Sequence, residues 1–452
     1  MALAYSDWQA LRMGHALRPI EAGNGLRLGA GEVVPEVNYT LPPVTISPES
    51  ATQVKRQYAE MVEGLLGRAV DLAVPQLLLE FEHLPALTSQ NELGTTITRE
   101  TAELMKAQFE RSGLRSALRV TVSDIRDMER PPRMRTGLQL QQMLEAFRSN
   151  ALAGGHMLSI ESTGGKEVHD TALLEANIPG ILFALGVLAC RDMRFLWSRI
   201  VEIAAETGAV AAGDTACGFA NTAMVLADKQ YIPQVLAGVV RAMGAARSLC
   251  AYEVGATGPS KDCAYEGPVL KALLGITISM EGKAAACAHL SSVGNVAAAV
   301  CDAWSNESVQ NVRLLSGPAP VAFLEILAYD CRLFNAALKK GEERKLQEWL
   351  TESDLRDSVQ AHLVCPEGAF RVARAIDAAG ESDFQRVRAA ALEACAVMRD
   401  AEEQGTLHLS QRELSWLSRI EEALDACDSE EKAIAAGTEA YSEQFLPTEY
   451  GL

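Results

Sequence analysis

The chain has 452 residues, 41 basic and 59 acidic, and its net charge of −18 argues against nucleic acid as a partner, because nucleic acid favours a basic face. A composition of 48% hydrophobic and 22% charged residues is typical of a globular protein. The sequence has no run of about 18 apolar residues without charges and breakers, so no membrane-spanning helix is predicted. The N-terminus lacks the basic start and apolar core of a signal peptide. Ten scattered cysteines without a CxxC pair favour a reducing cytoplasm over a disulfide framework.

Residues 1–58 are expected to form an extended N-terminal arm. Prolines interrupt regular structure there, and the segment from Val33 to Val44 is predicted to run extended across a larger body. A helix is predicted to begin near Pro48, with Ser47 as its cap, because proline is favoured in the first helical turn.

Strand-like and helix-like segments then alternate, which predicts an α/β fold, specifically a (β/α)8 TIM barrel over residues 59–338. A doubly wound sheet is the alternative, but its Gly-rich turn is missing after the first strand, which ends in Glu80-Phe81-Glu82-His83. From residue 339 to 452 only amphipathic helical segments follow, so a C-terminal helical appendix is expected. The eight strands are predicted at Leu77–Phe81, Ala117–Val122, Met157–Ile160, Ile181–Ala184, Ala209–Ala212, Leu249–Tyr252, Ile276–Met280 and Val312–Leu315.

Three potential metal ligands follow short apolar runs that are predicted to be buried strands. Glu161 comes directly after the third strand, Cys217 follows the fifth, and Cys263 follows the sixth. Side chains at the carboxyl ends of barrel strands converge over one mouth, so two sulfurs and one oxygen form a plausible open zinc site there. The spacing alone is not diagnostic, because an isolated cysteine is more often a small buried hydrophobe.

The local sequences around these ligands resemble the zinc-containing subunit of methanol:corrinoid methyltransferase. The resemblance runs nearly end to end, from Pro35-Glu36-Val37-Asn38-Tyr39 to Glu449-Tyr450-Gly451-Leu452. In that family a glutamate and two cysteines hold zinc, and they correspond to Glu161, Cys217 and Cys263. The blocks that carry the resemblance include Leu158–Val168, Gly213-Asp214-Thr215-Ala216-Cys217, Gly258-Pro259-Ser260-Lys261-Asp262-Cys263, Met280-Glu281-Gly282-Lys283 and Cys287-Ala288-His289.

The resemblance implies transfer of a methyl group from methanol to the cobalt(I) corrinoid (cobalamin) of a separate corrinoid protein. Zinc would help the poor leaving group depart, but two thiolates and a carboxylate give the loaded site a formal charge of −1, which suggests a nearby proton donor. The candidates are Asp214, Glu253, Asp262 and His289, which the sequence does not rank. We also expect a homo-oligomer.

One departure from the family pattern concerns the substrate. The alanines at positions 284 to 286 precede Cys287, where the family tends to carry small hydroxyl residues. A more apolar mouth would weaken hydrogen bonding to methanol and could admit a larger methoxylated compound. O-demethylation of such a compound is therefore one alternative, and a non-catalytic homologue that binds the corrinoid protein is another.

Overall fold

The computed structural model describes residues 3–41, 46, 48–261, 263–288, 290–306, 313–314, 317–356 and 358–452. Its strands are β1 His15–Ala22, β2 Leu26–Ala30, β3 Val34–Tyr39, β4 Gln76–Glu82, β5 Arg115–Val122, β6 Met157–Ile160, β7 Val210–Asp214, β8 Ser279–Glu281, β9 Ala303–Asn306, β10 Arg313–Leu314 and β11 Gly317–Pro318. Its longer helices are α1 Pro48–Asp71, α3 Asn91–Ser112, α4 Gly137–Leu152, α7 Cys190–Thr207, α8 Cys217–Asp228, α9 Gln234–Glu253, α13 Ala319–Lys340, α14 Glu343–Leu355, α16 Pro366–Ala378, α17 Asp383–Glu403, α18 Gln411–Ala426 and α19 Glu430–Tyr441.

Shorter helical segments connect these elements. The short α-helices are α2 Pro85–Ser89, α5 Lys166–Leu174, α6 Ile178–Phe183, α10 Gly267–Leu274, α11 Lys283–Ala288, α12 Gly294–Ala298 and α15 Ala361–Val364. Single 3-10 turns lie at Trp8–Ala10, Arg126–Met128 and Pro447–Tyr450, and a π-helical turn spans Ala184–Ala189.

Seven parallel strands form one sheet in the order β7-β6-β5-β4-β3-β9-β8. The gap between β7 and β8 is bridged by residues 257–260. Thr257 and Gly258 donate backbone hydrogen bonds to Ala211 and Ala212 of β7 at 2.8 and 2.7 Å, and Ser260 pairs with Ile278 beside β8. The sheet therefore curls into a TIM-barrel-like fold, and the carboxyl ends of its strands share one rim.

The barrel strands are buried on both faces because helices cover the outside and side chains fill the inside. Inside, Arg119 on β5 pairs with Glu36 on β3 at 2.7 Å, and both side chains are almost fully buried. The predicted strands at Leu77–Phe81, Ala117–Val122 and Met157–Ile160 are confirmed, and those at Ala209–Ala212 and Ile276–Met280 lie within a few residues of β7 and β8.

Two predicted strands are helical, and a third lies outside the barrel sheet. Ile181–Ala184 lies in α6 and the start of the π-helical turn, and Leu249–Tyr252 lies in α9, whose residues are buried nearly all along its length. A short apolar run in a fully buried helix has the same appearance as a buried strand, so the pattern could not separate them. Of the run Val312–Leu315, only residues 313–314 are described; they form a small hairpin with β11, outside the main sheet.

The segment predicted as an extended arm contributes a strand to the barrel. Strand β3 lies between β4 and β9, and Pro35, its second residue, does not exclude it because only one backbone donor is lost. Helix α1 begins at Pro48 as predicted, whereas Ser47 lies outside the described residues. The boundaries at residues 58 and 338 stay a prediction, but the barrel itself begins before residue 58.

The C-terminal region is helical as predicted, and it packs against the barrel. Helix α17 packs along α9, and the last residues reach the loop after β6, where the Gly165 N–H donates to the Tyr450 hydroxyl at 3.0 Å. Among the described residues, only Gln234–Glu253 is long and apolar enough to span a membrane. That helix is buried along nearly all its length, which is the position of a core helix.

Candidate metal centre

The three predicted ligands lie together at the carboxyl rim of the barrel. One carboxylate oxygen of Glu161 and the sulfurs of Cys217 and Cys263 are all within 4.8 Å of one another. Glu161 follows β6, Cys217 opens α8 three residues after β7, and Cys263 follows the segment that bridges β7 to β8. Ligands that are far apart in sequence meet here because the strands that precede them are neighbours in the barrel.

Hydrogen bonds already orient all three donor groups. The Asn221 side-chain amide, one turn along α8, donates to the Cys217 sulfur at 2.8 Å. The Cys263 thiol donates to Glu161 Oε1 at 3.5 Å, and the Thr215 hydroxyl lies 3.8 Å from the same sulfur. Partners of this kind fix the direction of metal ligands and are part of a working metal site.

The electrostatics of the cluster fit a divalent cation. Burial, the hydrogen bond to Cys217 and the nearby charges of Glu161 and Glu281 raise the pKa of the Cys263 thiol well above its usual value. Without a cation, the anionic neighbours oppose a second thiolate, and a metal ion would reverse that balance by stabilising the deprotonated form. Two sulfurs and one carboxylate oxygen are a donor set that suits zinc and leaves a fourth position open.

A buried lysine that sequence reasoning missed lies against the cluster. The Lys261 ammonium donates to Glu161 Oε1 at 2.5 Å, and it lies 3.6 Å from carboxylate oxygens of both Glu80 and Glu82. Burial alone lowers the pKa of Lys261, but the charges of these three carboxylates outweigh burial and raise it well above its usual value. The sequence signal that could have identified Lys261 is its position two residues before the predicted ligand Cys263.

Glu80 and Glu82 are themselves held in place at the end of β4. The Thr121 hydroxyl donates to Glu80, and the Asn38 amide donates to Glu82 Oε2 at 2.6 Å. Burial raises the pKa of Glu80 to about 7, although Lys261 acts in the opposite direction. Two acidic residues that alternate along the end of a barrel strand were a visible signal for a rim function.

Asp214 supports the site from behind. It is fully buried, accepts from Arg247 at 3.1 Å and from the Trp197 indole at 2.9 Å, and also accepts the backbone N–H of Ser162 at 3.3 Å. Three donors therefore occupy this carboxylate. Its contacts fix the backbone next to Glu161, so the structure supports a positioning role rather than the predicted proton donation.

Glu253 is also unsuited to the predicted role as proton donor. It is the last residue of α9 rather than part of a loop after a strand, and it binds Arg194 at 2.5 Å and Arg386 at 2.7 Å. Two guanidinium groups therefore occupy this carboxylate. The predicted placement after a strand was wrong because the preceding apolar run is helical. Asp262 and His289, the remaining candidates, lie outside the described residues.

A second group of similar composition lies among helices. Cys190, Cys250 and Asp383 also place three donor atoms within 4.8 Å. Arg194 donates to both oxygens of Asp383, at 2.5 and 2.6 Å. A hydrogen bond to Cys250 and burial raise the pKa of the Cys190 thiol well above its usual value. The fixed guanidinium beside the carboxylate opposes a metal cation, so this group fits neutral packing.

The alanine run that bears on substrate choice lies on the same rim as the metal ligands. Strand β8 ends at Glu281 and α11 follows directly, with Ala285 and Ala286 buried and Cys287 exposed. This part of the rim therefore carries small apolar side chains.

Comparison with known proteins gives one consistent family. Residues 1–451 match the family model described as methanol-cobalamin methyltransferase B subunit. A methanol–corrinoid protein co-methyltransferase from Methanosarcina barkeri is 35% identical over 457 residues, covering 100% of this chain and 98% of that protein. The crystal structure of the methanol:cobalamin methyltransferase complex MtaBC from Methanosarcina barkeri contains a chain 34% identical to this one, with a TM-score of 0.95, coverage of 100% of this chain and 99% of that chain. The chain therefore belongs to the methanol-cobalamin methyltransferase B subunit family.

Proposed function

We propose that this protein transfers the methyl group of methanol to the cobalt(I) corrinoid of a separate corrinoid protein, at a zinc centre formed by Glu161, Cys217 and Cys263. The observation that carries the proposal is the convergence of these three side chains within 4.8 Å on the barrel rim. The end-to-end similarity to a methanol–corrinoid protein co-methyltransferase supports the substrate and the acceptor.

The reaction breaks the methanol C–O bond and forms a C–Co bond. Cobalt(I) supplies the electron pair and becomes methylcobalt(III), and the oxygen leaves as water after it takes up one proton. Zinc, when bound, would supply Lewis acidity toward the departing oxygen by lowering its pKa, with a ceiling of about 12 kcal/mol.

Other residues of the chain orient the metal ligands and would donate the proton. Asn221 orients the Cys217 sulfur, and the Asp214–Arg247 pair fixes the backbone beside Glu161. Asp262 and His289 remain the proposed proton donors. The ten cysteines are all free thiols, which fits the proposed cytoplasmic location, and a homo-oligomer stays part of the proposal.

The test is a methyl-transfer assay with cobalt(I) corrinoid as acceptor, followed through the absorbance change on forming methylcobalt. We expect turnover of methanol by the zinc-loaded protein, loss of turnover after chelation, and recovery when zinc is returned. Turnover that persists in a chelator-treated protein with no measurable metal would contradict the zinc centre. Binding of the corrinoid protein without turnover of any donor would favour the scaffold alternative.

The apolar rim favours methoxylated compounds as second candidate donors. With Ala285 and Ala286 buried beside the site, a donor with more apolar surface than methanol would gain from contact there. A panel of methoxylated donors in the same assay separates the two cases. Replacement of Ala284 and Ala286 by threonine should shift preference toward methanol. An unchanged ratio of donor rates would show that these alanines do not determine donor preference.

A further inference from the structure

Lys261 binds the same carboxylate oxygen that the metal site needs. Its ammonium and the Cys263 thiol both contact Glu161 Oε1, at 2.5 and 3.5 Å, and the lysine side chain is only 5% exposed. A divalent cation between these donors would stand close to a buried positive charge. In a low-dielectric setting that repulsion is large, so lysine and metal compete for Glu161.

A second position for the ammonium lies within short reach. Oxygens of Glu80 and Glu82 are each 3.6 Å from the Lys261 nitrogen, about 1 Å beyond a charged hydrogen bond. Thr121 and Asn38 hold these two carboxylates in place, so the second position exists before the lysine uses it. Lysine suits a movement of this size because its charge is carried on four flexible methylene groups.

We propose that Lys261 is a positioning residue, which holds Glu161 in the metal-free centre and moves onto the Glu80–Glu82 pair when a divalent cation binds. The proposal rests on the metal site of the proposed function but requires no methyl transfer. It predicts that the lysine opposes metal binding, whereas the two carboxylates promote it by accepting the displaced charge.

The first variant removes the charge and keeps the bulk. Lys261→Met should bind zinc about 10-fold more tightly or better, because the competing cation is gone. Lys261→Arg keeps the charge and should stay much closer to the wild type. As a matched control, Lys283→Met removes a positive charge from the same rim, where Lys283 is exposed and pairs with Asp330, and it should leave zinc affinity within about 2-fold.

The second variant removes the acceptor. The double substitution Glu80→Gln with Glu82→Gln should weaken zinc binding by about 10-fold or more, since the ammonium then has no second partner. If displacement of the lysine is the cause, this loss should largely disappear when Lys261→Met is added, because no charge remains to be moved. A loss of the same size in both backgrounds would mean that the carboxylates attract the metal directly, and it would overturn the proposal.

The measurement is a titration of the metal-free full-length protein with zinc against a chromophoric chelator. Cobalt(II) titration reports thiolate coordination through its absorption bands and shows that each variant retains the site. Tighter binding by Lys261→Met with unchanged cobalt(II) bands supports the proposal, and unchanged or weaker binding with the same bands overturns it.

A substitute variant and two further outcomes distinguish failure of the Lys261 proposal from failure of the proposed methyl transfer. If Lys261→Met fails to fold, Lys261→Gln gives the same comparison with a shorter neutral side chain, with the same expected direction. A wild-type protein that binds neither zinc nor cobalt(II) overturns both the metal centre and the role of Lys261. Metal binding with the expected lysine effect, but no methyl transfer, contradicts the proposed function alone.

Discussion

The protein contains two groups of nearly the same chemical composition. Glu161, Cys217 and Cys263 form the rim cluster, and Cys190, Cys250 and Asp383 form the helix cluster; each has two sulfurs and a carboxylate oxygen within 4.8 Å. The rim cluster is built on loops at the carboxyl ends of strands, whereas the helix cluster is contributed by α7, α9 and α17.

The neighbouring cation distinguishes the two clusters. Beside the rim cluster it is Lys261, a flexible point charge with a second pair of carboxylates 3.6 Å away. Beside the helix cluster it is Arg194, whose planar group is held by both oxygens of Asp383 and by Glu253. We therefore expect a metal to displace the first cation at lower cost than the second. Similar donor sets therefore differ in use because of the charge that accompanies them.

The largest expected effect comes from substituting the cysteines of the two clusters. Cys217→Ser and Cys263→Ser should each lower zinc affinity by more than about 100-fold, because a thiolate ligand is lost. Cys190→Ser and Cys250→Ser are the matched controls from the helix cluster and should retain about one zinc per chain. Metal analysis of the four purified variants measures the zinc content of each. Loss of zinc in the helix-cluster variants would show that the helix cluster binds metal.

The carboxylates provide the next comparison. Glu161→Gln should weaken zinc binding by about 10- to 100-fold and slow methyl transfer even at excess zinc, because the neutral amide is a weaker ligand. Asp383→Asn should leave zinc binding unchanged and instead cost about 1–2 kcal/mol of unfolding free energy, since Arg194 loses its partner in a partly exposed pair. Chelator competition and urea unfolding measure the two effects, and wild-type zinc affinity in Glu161→Gln would reduce that residue to a neighbour of the site.

A third change tests the support behind the rim cluster. Asp214→Asn removes the charge that pairs with the fully buried Arg247, so we expect about 3–5 kcal/mol of destabilisation. Zinc affinity should also fall by about 10-fold, because the amide offers one neutral oxygen to the three donors that the carboxylate serves, which weakens the hydrogen bond to the backbone next to Glu161. A stable variant with normal zinc binding would show that Asp214 plays no part in positioning the ligand.

The smallest expected effect uses pH, since Glu80 beside the rim cluster titrates near neutrality. Burial raises the folded-state pKa of Glu80 to about 7, above the unfolded value near 4.5. Between these values the folded protein binds more protons than the unfolded chain, so the free energy of unfolding falls as pH rises, by at most about 3 kcal/mol from this group.

The control for the pH effect is Glu80→Gln. Urea unfolding of the metal-free protein at pH 5 and pH 7 should show a smaller decrease in the variant than in the wild type. Equal decreases in the two proteins would mean that Glu80 does not carry the pH dependence.

Prediction from sequence succeeded where pattern and position were sufficient. The continuous apolar run of β4 and its neighbours predicted buried parallel strands, and the residues after them predicted a rim site. The same reasoning failed at Leu249–Tyr252, because α9 is buried nearly all round and carries no polar face to reveal its period. That error also placed Glu253 at the mouth, whereas it pairs with two arginines near α17.

The sequence by itself determined the family and the α/β barrel class, and it predicted that Glu161, Cys217 and Cys263 lie together, because long motifs can be recognised without coordinates. Only the tertiary structure decided which charges surround those ligands. Lys261, Glu80 and Glu82 come from different parts of the chain, and their contacts depend on barrel closure through residues 257–260. The physical reason is that electrostatic coupling depends on distances of a few ångströms in space, which sequence separation does not encode.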